Sequence, residues 1–199
     1  SDGNVFVANR HFDGKRARLM KILATGGVDR NGNGVIDTST GSADIKALGD
    51  ANGNDELDAA ELSDERVAWS VPVGDPNGLG RAACIGTDGN VWVGLYNLQQ
   101  FYKVNGITGA IMSGPHSVPW TPYGCAVDRN GILWSATLGN GIGRLDTNNP
   151  ATPQFINVGS TYGIAIGNNK VYLGGNCAYY EYDPATGATV YRNGQCGSG

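Results

Sequence analysis

The residues best suited to chemistry are two runs of oxygen-bearing side chains within residues 28–65. The first reads Asp29-Arg30-Asn31-Gly32-Asn33-Gly34-Val35-Ile36-Asp37-Thr38-Ser39-Thr40. The second reads Asp50-Ala51-Asn52-Gly53-Asn54-Asp55-Glu56-Leu57-Asp58-Ala59-Ala60-Glu61. A twelve-residue calcium loop presents oxygens from positions 1, 3, 5, 7, 9 and 12, the seventh through its carbonyl and the last as a bidentate carboxylate. In that register the second run offers Asp50, Asn52, Asn54, Glu56, Asp58 and Glu61. The first offers Asp29, Asn31, Asn33, Val35 and Asp37. Both carry an apolar residue at position 8, Ile36 and Leu57. Two departures stand out. Asp55 replaces the usual position-6 glycine, although aspartate accepts positive φ better than most residues. Thr40 at position 12 cannot chelate through two oxygens, so the first site is expected to be weaker or to borrow a carboxylate, with Asp44 the candidate. Calcium is the cofactor this pattern implies, in a structural role, because a cation relieves repulsion among converging carboxylates. The alternative is a plain Asn/Gly/Asp turn region. Short helices are expected over 43–48 and 59–65.

Other chemistry is sparse. There are two histidines, His11 and His116, and four cysteines, none next to a histidine. No catalytic residue is assigned. The stretch from Gly114 to Tyr123 holds His116, Trp120 and Tyr123, aromatic faces beside polar groups that suit stacking on a sugar or gripping a protein partner. Trp120 plugging a channel is the competing reading. Net charge is −4 with no basic stripe, which argues against nucleic acid. The longest apolar runs are strand-sized, so no membrane span is expected.

These residues need a frame, and the frame is repetitive. Glycine is abundant at 32 residues, charged residues are 16%, and hydrophobic residues are 40%. That profile suits many short strands with tight turns. A turn rich in Asp, Asn and Gly followed by an apolar run recurs around Phe6, Trp92, Trp134 and Tyr172. The last two spacings, 42 (134 − 92) and 38 (172 − 134), match a four-stranded propeller blade of about 40–45 residues. The first, 86 (92 − 6), equals one blade plus an insertion. Innermost strands are predicted over 82–86, 123–128 and 162–167, with the aromatic strands following and packing between blades. The expectation is an all-β propeller of about four blades over residues 1–199, with residues 28–65 inserted in the first blade. That blade lacks its innermost strand, so the chain is expected to be part of a larger ring or completed by a second chain.

Pro122-Tyr123-Gly124-Cys125-Ala126-Val127-Asp128, then Gly131-Ile132-Leu133-Trp134 and Gly141-Ile142-Gly143-Arg144-Leu145-Asp146, resembles the blade repeat of streptogramin lyase-like propellers; Thr161-Tyr162-Gly163-Ile164-Ala165-Ile166 repeats its first half. The resemblance covers roughly residues 66–193 plus 2–23. It implies a propeller. Its lactone-opening activity would need a histidine base and glutamate-held magnesium, and no residue here matches those positions. The insertion is similar to the paired EF-hand-like calcium loops of extracellular bacterial proteins. Cys177 and Cys196 flank the Asp183–Gly187 turn and are expected to staple the last hairpin. Cys84 and Cys125, eight and nine residues before Trp92 and Trp134, occupy matching places on adjacent innermost strands and are either bonded or buried thiols. An even cysteine count fits an oxidising compartment, and any secretion signal would lie upstream of Ser1. The expectation is thus a secreted or cell-surface, calcium-stabilised scaffold for a glycan or protein ligand. A lyase-like enzyme and a purely structural domain are the alternatives.

Overall fold

The computed structural model describes residues 2–11, 13–54, 57–175 and 177–193. It is all-β, built from four antiparallel sheets in chain order. The first holds β1 (Val5–Asn9), β2 (Arg16–Ile22) and β3 (Val67–Pro76). The second holds β4 (Gly80–Ile85), β5 (Val91–Leu95), β6 (Gln100–Val104) and β7 (Ile111–Ser117). The third holds β8 (Gly124–Val127), β9 (Ile132–Ala136), β10 (Asn140–Asp146) and β11 (Gln154–Ser160). The fourth holds β12 (Gly163–Gly167), β13 (Lys170–Gly175), β14 (Ala178–Tyr182) and β15 (Thr189–Asn193). Each sheet is a blade of a propeller, and β4, β8 and β12 lie side by side as its inner strands.

Local sequence makes the hairpins. The Asp88 carboxylate accepts the Asn90 amide at 3.1 Å while Gly89 takes φ 77°, and Asp128 does the same for Asn130 at 2.8 Å with Gly131 at φ 77°. Both turns use an aspartate side chain to fold the backbone and a glycine to accept left-handed φ. The aromatic of each second strand then packs toward the following blade. Phe6 joins a core with Trp69, Val91 and Val93; Trp92 joins one with Trp120, Leu133 and Leu145; Trp134 joins one with Val158, Leu173 and Tyr182. Trp92 and Trp134 are fully buried.

Among the described residues no core cluster joins the fourth sheet to the first. Val5 and Val7 of β1 are exposed, as are Tyr179 and Val190 on the fourth sheet. The described residues therefore form an open arc, with the first blade lacking an inner strand as the repeat predicts.

Two expectations are corrected. Residues 43–48 and 59–65 are irregular chain with short turns, and there is no helix among the described residues. Ile45 is 72% exposed, so the first segment has no apolar face to bury, and the second closes only a single turn, from Leu62 N–H to the Asp58 carbonyl. Cys84 and Cys125 are bonded, with Cα atoms 5.6 Å apart, but they are not level. Cys84 lies opposite Trp92, whereas Cys125 lies opposite Ser135, and Ala126 takes the place opposite Trp134. Because side chains alternate along a strand, that one-residue offset turns the two sulfurs toward each other. Cys177 is also disulfide-bonded, and its expected partner Cys196 lies outside the described residues.

Candidate functional site

Two regions gather functional side chains. The first is the insertion between β2 and β3. In the second loop Asp50 Oδ1 accepts the Gly53 and Asn54 amides at 2.7 and 3.2 Å, and Asp58 Oδ2 accepts the side-chain amides of Asn52 and Asn54, each at 3.0 Å. Glu61 closes the loop: Oε1 takes the Ala51 and Asn52 amides at 2.7 and 3.1 Å, and Oε2 takes Asp58 N–H at 2.9 Å. Asp55 and Glu56 lie outside the described residues.

The first loop repeats this pattern with one substitution. Asp29 accepts the Gly32 and Gly34 amides at 2.7 and 2.9 Å. Asp37 accepts the side chains of Asn31 and Asn33 at 3.3 and 2.8 Å. The closing carboxylate comes from Glu65: Oε1 takes Arg30 N–H at 3.4 Å, and Oε2 takes the Asp37 and Thr38 amides at 2.8 and 3.1 Å. These are loop positions 2, 9 and 10, so Glu65 stands where Glu61 stands in the second loop. Asp44 does not fill that role. It binds the Thr40 and Gly41 amides at 2.9 and 2.6 Å. Glu65 is fully buried, and its carboxyl is held below the ordinary glutamate value chiefly by the Asp37 amide, against the cost of burial.

The donor chemistry fits a hard cation. Asp29, Asn31, Asn33, the Val35 carbonyl, Asp37 and Glu65 could hold one ion, and Asp50, Asn52, Asn54, Asp58 and Glu61 another. Among the described residues no group of three acidic, histidine or cysteine side chains is placed to hold a metal ion, so the three carboxylates of each set would have to draw closer to share one. The asparagine NH2 groups face Asp37 and Asp58, and each amide would turn its oxygen inward to ligate. Arginines fasten the insertion to the first blade: the Arg18 guanidinium reaches the Leu57 carbonyl at 2.8 Å, and Arg30 reaches the Ala68 carbonyl of β3 at 3.2 Å.

The second region is the rim of the inner strands. The strand register makes Ala82, Gly124 and Gly163 equivalent, paired with Gly94, Ala136 and Gly174. Tyr123 and Tyr162, the residues just before the last two, share one repeat position, and Arg81 is the extra residue where the β4–β5 register shifts between Gly80 and Ala82, so the three follow one another along the rim. They touch. The Arg81 guanidinium lies 4.8 Å from the Tyr123 ring centre and 4.9 Å from that of Tyr96, at the end of β5. Tyr123 and Tyr162 are 4.8 Å apart at 55°, and Tyr96 meets Tyr123 edge-on at 6.2 Å. The Tyr162 hydroxyl donates to Tyr123, which lowers the Tyr123 phenol against the cost of burial, with Arg81 and Arg10 adding to the effect; the same bond raises the Tyr162 phenol.

The structure separates the three aromatic candidates. Tyr123 is on this rim. Trp120 is 3% exposed, in the core between the second and third blades and against Gly143, so it has no face to offer a ligand. His116 sits on the outer strand β7, beside Trp92 at 5.5 Å and within 2.9 Å of Ser113 Oγ. Burial lowers its pKa, favouring the neutral ring. Arg81, Tyr96 and Tyr162 were missed by a reading of single loops; aligning the repeats by strand register brings out Tyr162 beside Tyr123.

No protein-family model matches the sequence, and no curated protein sequence matches it. Solved structures do. Virginiamycin B lyase from Staphylococcus aureus is similar over 96% of this chain and 60% of its own, at 12% identity and a TM-score of 0.56. Hydrazine synthase of Kuenenia stuttgartiensis is similar over 64% of this chain and 40% of its own, at 15% identity and a TM-score of 0.51. BamB from Moraxella catarrhalis matches over 64% of this chain and 40% of its own, at 19% identity and a TM-score of 0.47. The chain thus spans between 40 and 60% of the length of these relatives, and the likeness is one of fold: a β-propeller.

Proposed function

We propose that this chain is a secreted or cell-surface β-propeller segment, stabilised by calcium in its 28–65 insertion, that binds a glycan or protein ligand on the rim of its inner strands. The observation that carries the binding reading is the chain of contacts on successive inner strands from Arg81 to Tyr123 to Tyr162, which places stacking faces beside charge on one rim. The calcium reading is supported by the parallel closure of both loops, by Glu61 in one and Glu65 in the other. Disulfides at Cys84–Cys125 and Cys177 support an oxidising compartment. No helix among the described residues is long and apolar enough to cross a membrane. Further blades, or a second chain, would cover the exposed faces at the two ends of the arc.

The test is thermal unfolding with calcium or with a chelator, magnesium present in both. An ion at about 100 times its dissociation constant adds about 2.7 kcal/mol, or about 5–10 °C for a chain of this size. An unchanged midpoint removes calcium from the reading. Ligand binding that survives Tyr123→Ala and Tyr162→Ala removes the rim, and lactone opening would replace the scaffold with an enzyme.

A further inference from the structure

We propose that the rim takes an acidic carbohydrate, a sugar bearing a carboxylate, stacked on Tyr162 and held by Arg10 and Arg81. This rests on the rim being the binding site, and adds the chemical class of the ligand.

The first argument is charge. The chain is net negative at −4, yet the rim carries guanidinium charge: Arg81 lies 4.8 Å from the Tyr123 ring centre, the Asn9 carbonyl that precedes Arg10 lies beside Gly80, and both arginines favour the anionic form of the two phenols. Arg10 follows the end of β1, in the blade that lacks an inner strand, so the arc of the rim runs Arg10, Arg81, Tyr123, Tyr162. A locally positive rim on an acidic protein selects anions, and guanidinium groups recognise carboxylates through paired N–H donors.

The second argument is shape. Tyr123 is engaged on both sides, whereas Tyr162 is 59% exposed and presents its ring. Beyond it runs a groove of about 580 Å3 whose floor is Gly163, Gly174 and Gly175. Gly163 and Gly174 pair directly across β12 and β13, and a Cβ built on either meets nothing within 4 Å. The floor is thus bare backbone, with carbonyl and amide groups at its edge and the Ser160 and Thr161 segment along its wall. A flat aromatic face beside a bare polar floor accommodates a sugar ring, whose axial C–H groups stack and whose hydroxyls hydrogen-bond.

Calorimetry with trigalacturonate and its methyl ester tests the idea on the calcium-loaded chain. The acid is expected to bind at least about tenfold more tightly than the ester, the value of one charge-assisted contact, with the gap narrowing as salt rises. Arg10→Gln, at an exposed position, should remove most of the gap. Gly174→Val should fold normally, since its Cβ meets no neighbour and its φ is ordinary for a strand, but should weaken acid and ester together by filling the groove. Equal binding of acid and ester overturns the acidic class and leaves the rim as the site. Acid binding that is unchanged in both Gly174→Val and Tyr162→Ala overturns the rim itself. No heat from the acid at millimolar concentration, with both variants folded, overturns the inference.

Discussion

Removing the Cys84–Cys125 bond should cost this protein more than any surface substitution. The bond joins the inner strands of the second and third blades and closes a loop of sequence separation 41. Chain-entropy arithmetic for a loop of that length gives about 4 kcal/mol at 25 °C; measured values for disulfides centre on about 2–4 kcal/mol. Both sulfurs lie against the Trp92, Leu133 and Leu145 core, so Cys84→Ala with Cys125→Ala also leaves a small void, adding rather than subtracting. For a domain of this size the midpoint should fall by about 5–15 °C. The assay is calorimetric unfolding of the double variant, with calcium fixed. Substitution is preferable to a reductant, which would also open the bond at Cys177. Thiol titration of the unfolded native chain, before any reductant, should find neither of these cysteines free. A double variant that melts within about 1 °C of the native chain refutes the argument: either the bond is absent in solution, or the unfolded chain keeps the two inner strands together without it.

Trp120→Ala should cost about 3–5 kcal/mol in denaturant unfolding, as expected for a large buried aromatic. Gly143→Ala should also destabilise, because its Cβ would lie 2.0 Å from the Trp120 ring, and the two effects should be less than additive in the double variant, since removing the indole makes room for the methyl. Stability should hold at neutral pH and decline on the acid side. The Asp88 carboxyl is pulled down to about 2, the Lys103 and Asn90 hydrogen bonds outweighing the cost of burial, and Glu65 is also lowered, chiefly by the Asp37 amide. A folded pKa below the unfolded one contributes stability above the unfolded value of about 4 that is lost as pH falls through the folded value. Midpoints measured against pH should therefore fall from about pH 4 toward about 2, more shallowly in Asp88→Asn.

Much of the frame was legible because local rules govern it. β8 and β12 fall within the predicted stretches 123–128 and 162–167, and the 183–187 turn forms with Gly187 at φ 72°, since turn chemistry and alternation act over a few residues. What escaped depends on distance. Trp120 looks like a loop aromatic until Gly143, 23 residues later, removes its own side chain to make room. Glu65 closes a loop whose Asp37 lies 28 residues away, so no twelve-residue motif contains it. The helix expected over 43–48 failed for the opposite reason: Ile45 is exposed and meets no partner surface. The eight- and nine-residue spacings of Cys84 and Cys125 held the one-residue offset from the start, but its meaning appears only once the ladder shows which residue faces which.

The insertion and the rim are neighbours through one side chain. Arg10 acts electrostatically on Tyr123 and Tyr162, and it also lines a groove of about 910 Å3 together with Leu48, Gly49, Asp50 and Leu57 of the second loop and His11 at the end of β1. Arg18 ties that loop to the same blade face through the Leu57 carbonyl. The proposed calcium site and the proposed ligand site thus share a wall. A cation that orders residues 50–61 would fix the surroundings of Arg10 before a ligand arrives, lowering the ordering cost of binding. By linkage, a ligand that prefers the ordered rim would tighten the ion in return. A propeller blade alone supplies neither effect. The repeat positions the tyrosines, and the inserted loops line the same groove as the arginine that completes them.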